Sequence, residues 1–136
     1  QVYKNIQRIK KQRMNSLGLK GTQVMCIYYL SIHPEGMTAA DLSRITVEDK
    51  ASISRILAEL EEEGYITYET EPGRKYRAPA LLTEKGRETA VKIQQLILQA
   101  TEAGGQGLTD EEREIFYRAL FQIADNLSAL LTNLSK

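Results

Sequence analysis

The sequence is poor in the residues on which most catalytic and metal sites depend. Its 136 residues include one cysteine, Cys26, and one histidine, His33. A single cysteine excludes an internal disulfide framework and fits a reducing compartment, so we expect a cytoplasmic protein. A zinc site would need several clustered ligands, and most enzymes would need a nucleophile beside a base. Because neither pattern stands out, we expect no metal, no other cofactor and no catalytic activity.

Long apolar runs are missing as well. No run approaches the roughly 18 residues that a membrane-spanning helix needs, and no basic start is followed by an apolar segment. We therefore expect neither a membrane helix nor a signal peptide. With 42% hydrophobic and 26% charged residues, the chain suits a single globular domain over residues 1–136.

The chain has no excess of either charge, since 18 basic and 18 acidic residues cancel. The charges are nevertheless sorted along the sequence. Residues 1–20 contain six bases and no acid, whereas residues 102–114 contain five acids and one base. A further basic cluster consists of Arg74, Lys75 and Arg77. Sorted charge is compatible with a nucleic-acid footprint, but also with an ordinary solvated surface.

The first half of the chain carries helical signals. Apolar residues at helical spacing predict a first helix over residues 1–16, which is broken by Gly18 and Gly21. Thr22 is predicted to cap a second helix that runs to Pro34, because the residue before a proline is pushed out of the helical region.

Two further helices follow at short spacing. Thr38 and Asp41 form a capping-box pattern, in which each side chain accepts a backbone amide of the other residue, and they open a short helix to about Ile45. Asp49 or a neighbour opens the next helix. Its apolar stripe is Ile53, Ile56, Leu57 and Leu60, and its opposite face carries Ala51, Arg55, Ala58 and Glu62.

That fourth helix is graded in polarity. Its first half offers small residues, hydroxyls and Arg55, and its second half offers the acids Glu59, Glu61, Glu62 and Glu63. A helix that enters the major groove by its N-terminal half and directs its C-terminal half away fits this gradient. An ordinary amphipathic surface helix with an acidic end fits it equally well.

A hairpin signal comes next. Gly64 stands where a helix C-cap is expected, residues 65–68 are rich in aromatic and β-branched side chains, and Pro72 with Gly73 supplies a turn. Residues 76–82 are predicted to return as a second strand, in which Pro79 is acceptable only at an edge or bulge. The three bases beside the turn are placed for phosphate or minor-groove contact, or else protect an edge strand from aggregation.

The C-terminal third predicts two helices, over residues 84–100 and from Thr109 onward, where Thr109 and Glu112 form a second capping box. Six apolar residues then recur at heptad-like spacing: Phe116, Leu120, Ile123, Leu127, Leu130 and Leu134. This seam requires a partner helix. The partner is either the 84–100 helix of the same chain or a second subunit, and we expect a second subunit, with Ile6 and Ile9 of the first helix joining the interface.

Five segments in this order resemble the MarR family of transcriptional regulators, and together they extend over most of the chain. They are residues 17–23, 34–42, 49–55, 60–66 and 82–86. The resemblance implies a mainly α fold with a small β-hairpin wing. Residues 22–86 would form the winged helix-turn-helix, and residues 1–16 and 84–136 the dimerisation helices of a homodimer on a roughly palindromic operator.

The resemblance also implies roles for individual residues in contact with double-stranded DNA. Ser52, Ser54 and Arg55 would read or brace bases beside Ala51, while Lys50 and Thr38 would hold phosphate. Arg74, Lys75 and Arg77 would form the wing contact. The family's wing usually carries an aspartate that orients an arginine, and residues 73–77 lack it.

Other features leave alternatives open. Cys26 is expected to be a buried structural residue rather than a redox trigger, and His33 a loop or helix-end residue rather than a ligand. Tyr28, Tyr29 and Tyr117 either line a pocket for a small-molecule effector or belong to the core. The alternative to a DNA-binding regulator is a winged-helix module that binds another protein.

Overall fold

The structure, a computed structural model, describes residues 1–46, 48–69 and 78–135. Within these ranges the chain forms helices and one small sheet. The helices are α1 (Val2–Asn15), α2 (Gly21–Ser31), α3 (Ala39–Thr46), α4 (Lys50–Glu62), α5 (Glu84–Gly104) and α6 (Asp110–Leu134), and the strands are β1 (Ile66–Tyr68) and β2 (Ala80–Leu82). A mainly α chain with a small β-hairpin is therefore confirmed.

The chain divides into two compact units, Gln1–Ile97 and Leu98–Lys136. The hydrophobic core lies in the first unit, where side chains from α2, α3, α4, α5 and both strands are buried together. Its largest fully buried side chains are Ile27, Leu42, Ile53, Leu60, Ile66 and Ile93. The second unit contains the end of α5 and the whole of α6, and α6 buries none of its residues.

The start of α2 differs from the prediction. Thr22 is not the cap, because the helix begins at Gly21 and its N-cap is Lys20, in extended conformation. The side-chain oxygen of Gln23 accepts the backbone N–H of Lys20 at 3.0 Å, and this bond satisfies an amide outside the helix. The helix also ends at Ser31, before Pro34, to which the sequence predicted that it would run.

The predicted starts of α3 and α6 are confirmed. Thr38 N–H donates to Asp41 Oδ2 at 3.0 Å and Asp41 N–H donates to Thr38 Oγ1 at 3.1 Å, which completes the capping box. The same reciprocal pair joins Thr109 and Glu112 at 3.0 and 3.1 Å. Local side-chain chemistry thus fixes where these helices begin.

The sheet is antiparallel, with Ile66 opposite Leu82 and Tyr68 opposite Ala80. Ala80 also exchanges backbone hydrogen bonds with Met37, which ties the residues before α3 to the sheet. The described part of the second strand is shorter than predicted, because Pro79 precedes it and lacks the N–H that a ladder needs. The remainder of that prediction, residues 76 and 77, lies outside the described residues.

Candidate nucleic-acid interface

The start of α4 is fixed by Asp49, as the sequence predicted. Its carboxylate accepts the backbone N–H of Ser52 at 2.8 Å and the Ser52 hydroxyl at 3.0 Å. The backbone hydrogen bond lowers the pKa of Asp49 most, and the hydroxyl adds to the effect. Asp49 is therefore a carboxylate at neutral pH, in the position where a negative charge complements the helix dipole.

The first half of α4 presents a polar face to solvent. Lys50, Ala51, Ser54 and Arg55 are exposed, whereas Ser52 is half-buried and its hydroxyl proton is directed to Asp49. Underneath, the side chains of Ile53, Leu57 and Leu60 are buried in the core. An exposed arginine with fixed helix backbone beneath it can donate two hydrogen bonds to one guanine edge.

In the second half of α4, the acid Glu59 makes tertiary contacts that the sequence did not indicate. Glu59 is not simply a solvated charge, because Gln23 Nε2 donates to its Oε2 at 3.0 Å and Lys20 Nζ lies 3.7 Å from its Oε1. The sequence predicts Thr22 as the cap of α2 and indicates no role for Gln23. Its partner, 36 positions away, could not be identified from sequence.

The end of α4 is anchored to the start of α5. Gly64 adopts a positive φ of 85°, which glycine tolerates and which ends the helix as predicted. Thr83 Oγ1 donates to the Gly64 carbonyl and Lys85 Nζ to the Glu63 carbonyl, each at 2.6 Å. The Lys85 ammonium also lies 4.3 Å from the centre of the Tyr65 ring. The helix is thus held at both ends by polar contacts.

Thr38 lies half-buried at the start of α3. Its hydroxyl oxygen accepts the Asp41 amide, and the hydroxyl also forms a hydrogen bond that lowers the pKa of the Asp41 carboxyl. Asp41 in turn pairs with Arg44 one turn later. The pKa of Asp41 is lowered, chiefly by the Thr38 N–H.

The predicted wing bases Arg74, Lys75 and Arg77 lie outside the described residues. The strands that lead to them are described, and β1 follows α4 after a turn of only three residues. The hairpin therefore begins close in sequence to the end of the candidate recognition helix.

The residues predicted for dimerisation are uncovered in the single chain. On α1, Ile6 is 54% and Ile9 46% exposed, and Val2 and Tyr3 extend the same apolar surface. On α6, the predicted seam is exposed along its whole length. Its members are Phe116, Leu120, Ile123, Leu127, Leu130 and Leu134, each at least 46% exposed. An apolar surface of this extent is characteristic of an interaction site.

A cleft of about 510 Å³ lies in the first unit, between α1, the start of α2 and the end of α3. Met14, Met25 and Tyr29 contribute apolar lining, and basic groups at its margin come from Lys10, Lys11 and Lys20. Tyr28 and Tyr29 are half-buried and also pack against the core, with their rings edge to face at 5.5 Å. Tyr117 is 42% exposed on α6.

The side chain of Cys26 is completely buried in α2. Burial first, and the nearby charge of Glu48 second, raise the pKa of the thiol from 9.0 to about 11. His33 lies after the end of α2, where its Nδ1 is 3.1 Å from Glu35 Oε1. No group of three or more potential metal ligands occurs in the described ranges. No described helix is long and apolar enough to span a membrane.

We expect native Cys26 to resist alkylation. At about pH 8 the raised pKa alone lowers the thiolate fraction roughly a hundredfold, and burial blocks access as well. Iodoacetamide labelling, followed by mass spectrometry, should proceed at the rate of an ordinary cysteine only after unfolding in urea. Rapid labelling of the folded protein would contradict a purely structural role.

Comparison with known proteins gives a family match over part of the chain, and a fold. Residues 17–75 match the model of the MarR family. Among curated protein sequences, none matches the chain significantly. This family match, together with the fold of solved regulator structures, confirms the resemblance to MarR regulators.

Three solved structures illustrate the fold. Transcriptional regulator PA3341 is 18% identical with a TM-score of 0.81, covering 94% of this chain and 93% of that one. A MarR family regulator from Silicibacter pomeroyi is 24% identical with a TM-score of 0.75, covering 88% and 80%. MepR of S. aureus, solved as a complex with DNA, is 18% identical with a TM-score of 0.77, covering 93% and 91%. The chain therefore has the winged helix fold of these regulators.

Proposed function

From the MarR family match of residues 17–75 and the shared regulator fold, we propose that this chain is a sequence-specific DNA-binding transcriptional regulator. It acts as a homodimer on a roughly palindromic operator. Residues 1–136 form one MarR-like domain, in which residues 22–86 bind DNA and residues 1–16 and 84–136 dimerise. Its role is binding and not catalysis.

The observation that carries this proposal is the geometry of α4. Its exposed half, Lys50 to Arg55, is basic and contains no acid, while its stripe is buried, its N-terminus is capped by Asp49 and its C-terminal end is bonded to Lys85. A rigid helix with a polar, positive N-terminal half is what major-groove recognition requires. The acidic residues from Glu59 onward would be repelled by phosphate, so contact ends before them.

The proposed contacts divide into two kinds. Ser52, Ser54 and Arg55 read or brace base edges, with Ala51 beside them, and Lys50 and Thr38 hold phosphate. Arg74, Lys75 and Arg77 supply the contact of the wing, on the evidence of their sequence positions alone. The exposed apolar surfaces of α1 and α6 support the homodimer, since an uncovered seam of this length is costly in water.

The cleft between α1 and α2 is the proposed effector site. Its apolar lining and its margin, where three lysines outnumber the acid Glu48, suit a small molecule with an apolar body and a negative charge. The alternative function, a winged-helix module that binds another protein, is disfavoured because the exposed half of α4 is basic and lacks a large apolar residue.

A selection from random duplexes at moderate salt tests the function. We expect enrichment of a two-fold symmetric sequence with half-sites about one helical turn apart, because a symmetric dimer presents two copies of α4. Recovery of a single half-site would retain DNA recognition but reject the dimer. No enrichment at all would reject the proposal in favour of the protein-binding module.

Replacing Arg55 by alanine should relax base preference. Loss of one base-reading arginine costs about 1–3 kcal/mol on the selected operator and much less on a scrambled duplex. Arg118→Ala, at an exposed position of α6, is the matched control and should leave the ratio of the two affinities unchanged. If Arg55→Ala kept the full preference, α4 would not be the recognition helix.

The wing variants Arg74→Ala and Arg77→Ala should behave differently. A phosphate contact carries no sequence information, so each variant should weaken binding to all duplexes alike. The slope of log affinity against log salt should become shallower by about one for each lost contact. Titrations by fluorescence anisotropy at several salt concentrations measure this slope. An unchanged slope would mean that the substituted arginine does not contact phosphate.

A further inference from the structure

Gln23, in the first turn of α2, is a polar side chain buried in the core with only 3% of its surface exposed. A buried amide is costly unless its oxygen and its nitrogen both find partners. Here the oxygen accepts the Lys20 N–H and the nitrogen donates to Glu59, both at 3.0 Å. The partners define the orientation of the amide, because a backbone N–H requires an acceptor and a carboxylate requires a donor.

The second of these bonds reaches α4. Lys20 also approaches Glu59, but its side chain is 76% exposed, and such ion pairs contribute little. Leu57 and Leu60 pack this part of α4 into the apolar core, and the bonds from Thr83 and Lys85 hold the carbonyls just beyond its end. Apolar packing sets how deeply a helix is buried. A directional hydrogen bond restricts small rotations of the helix about its axis more strongly than apolar packing does.

Arg55 lies four residues before Glu59. Residues at this spacing lie on the same face of a helix, one turn apart. A rotation of α4 about its axis that displaced Glu59 would therefore displace Arg55 in the same direction. The hydrogen bond between Gln23 and Glu59 therefore also fixes the direction in which the Arg55 side chain projects from the helix.

We infer that Gln23 is a positioning residue for DNA recognition: its amide, bonded to Glu59, sets the rotation of α4 and so the placement of Arg55. This inference rests on the proposed function. Gln23 does not touch DNA in this scheme, and its effect should appear in the discrimination between duplexes rather than in binding to all of them.

Gln23→Glu tests the inference with almost no change in volume. The new carboxylate can still accept the Lys20 N–H, but it faces Glu59 with a second negative charge. At about pH 8 we expect the preference for the selected operator over a scrambled duplex to fall about tenfold, with the helix content unchanged by circular dichroism. Like charges raise the pKa of one carboxyl, so a proton should re-form the bond on acidification to about pH 5.5 and restore the preference.

Wild type at each pH is the reference for that recovery. Lys20 is the charged group recorded beside this pair in the described structure. Gln94→Glu, at an exposed glutamine of α5, adds the same charge away from α4 and should leave the preference unchanged at both pH values.

The double variant Gln23→Glu with Glu59→Gln exchanges donor and acceptor and keeps the net charge of wild type. It should restore the preference at about pH 8 to within about threefold of wild type. An equal loss of affinity for both duplexes in Gln23→Glu, or no recovery in the double variant, would overturn the inference. A wild-type protein without preference for any duplex would instead reject the proposed function, and the inference with it.

Discussion

Gly86→Ala is expected to destabilise the first unit by about 3 kcal/mol, which corresponds to roughly 10 °C in melting temperature. Gly86 is buried in the first turn of α5. A methyl group placed there would overlap the carbonyl oxygen of Tyr65 and would lie 3.0 Å from Leu82 Cδ2. The clash is with backbone, so no side-chain rotation relieves it.

The surrounding hydrogen bonds make the clash difficult to avoid. The Tyr65 carbonyl accepts the Thr83 N–H at 3.0 Å, and the Gly86 N–H donates to Thr83 Oγ1 at 3.1 Å. Moving Tyr65 away from a new methyl group would break the first of these bonds. It would also disturb the contacts of Thr83 and Lys85 that hold the end of α4, so DNA discrimination should fall together with stability.

Gly104→Ala is the matched control. Gly104 ends the same helix, and a methyl group built on it meets no atom within 4 Å. Because alanine favours the helix over glycine by about 1 kcal/mol in helix interiors, this variant should be neutral or slightly stabilising. Urea unfolding at one fixed protein concentration measures both, since dimerisation makes stability depend on concentration. Equal stability of the two variants would mean that α5 can shift away from Tyr65.

Much of the fold was predictable because the signals are local. The boxes at Thr38 and Thr109, the cap at Asp49 and the stop at Gly64 each depend on side chains within a few residues of the helix end, and all four predictions are confirmed. The prediction for Thr22 failed because a local signal alone does not show which side chain makes the capping bond. A residue type favoured at caps stood near the helix start, but Gln23 capped the preceding amide instead.

The candidate site was less predictable because it depends on contacts between distant segments. Sequence identified the polar half of α4, but it could not show that Glu59 is bonded to Gln23 or that Lys85 caps the Glu63 carbonyl. Periodicity defines faces of a helix, whereas the partner of each face is set by tertiary packing. The roles of the DNA-facing residues and of the apolar seam stay predictions.

Leu127→Arg is expected to convert the proposed dimer into a monomer. Leu127 lies in the middle of the exposed apolar seam of α6, between Ile123 and Leu130. In an isolated chain its side chain is 56% exposed, so an arginine there would be solvated and would cost little. In a dimer the same arginine would be buried among apolar side chains without a counter-charge, which is strongly unfavourable.

Symmetry increases the effect, because a two-fold interface repeats each substitution on both subunits. We therefore expect the dissociation constant of the dimer to rise at least about a hundredfold, and cooperative binding to a two-half-site operator to be lost. Ser128→Arg, at the neighbouring position outside the seam, adds the same charge and should remain dimeric. Sedimentation velocity over a range of concentrations distinguishes the two variants. A Leu127→Arg protein that remained dimeric would place the interface elsewhere. If the wild type were already monomeric and Leu127→Arg failed to fold, the seam would instead pack within one chain.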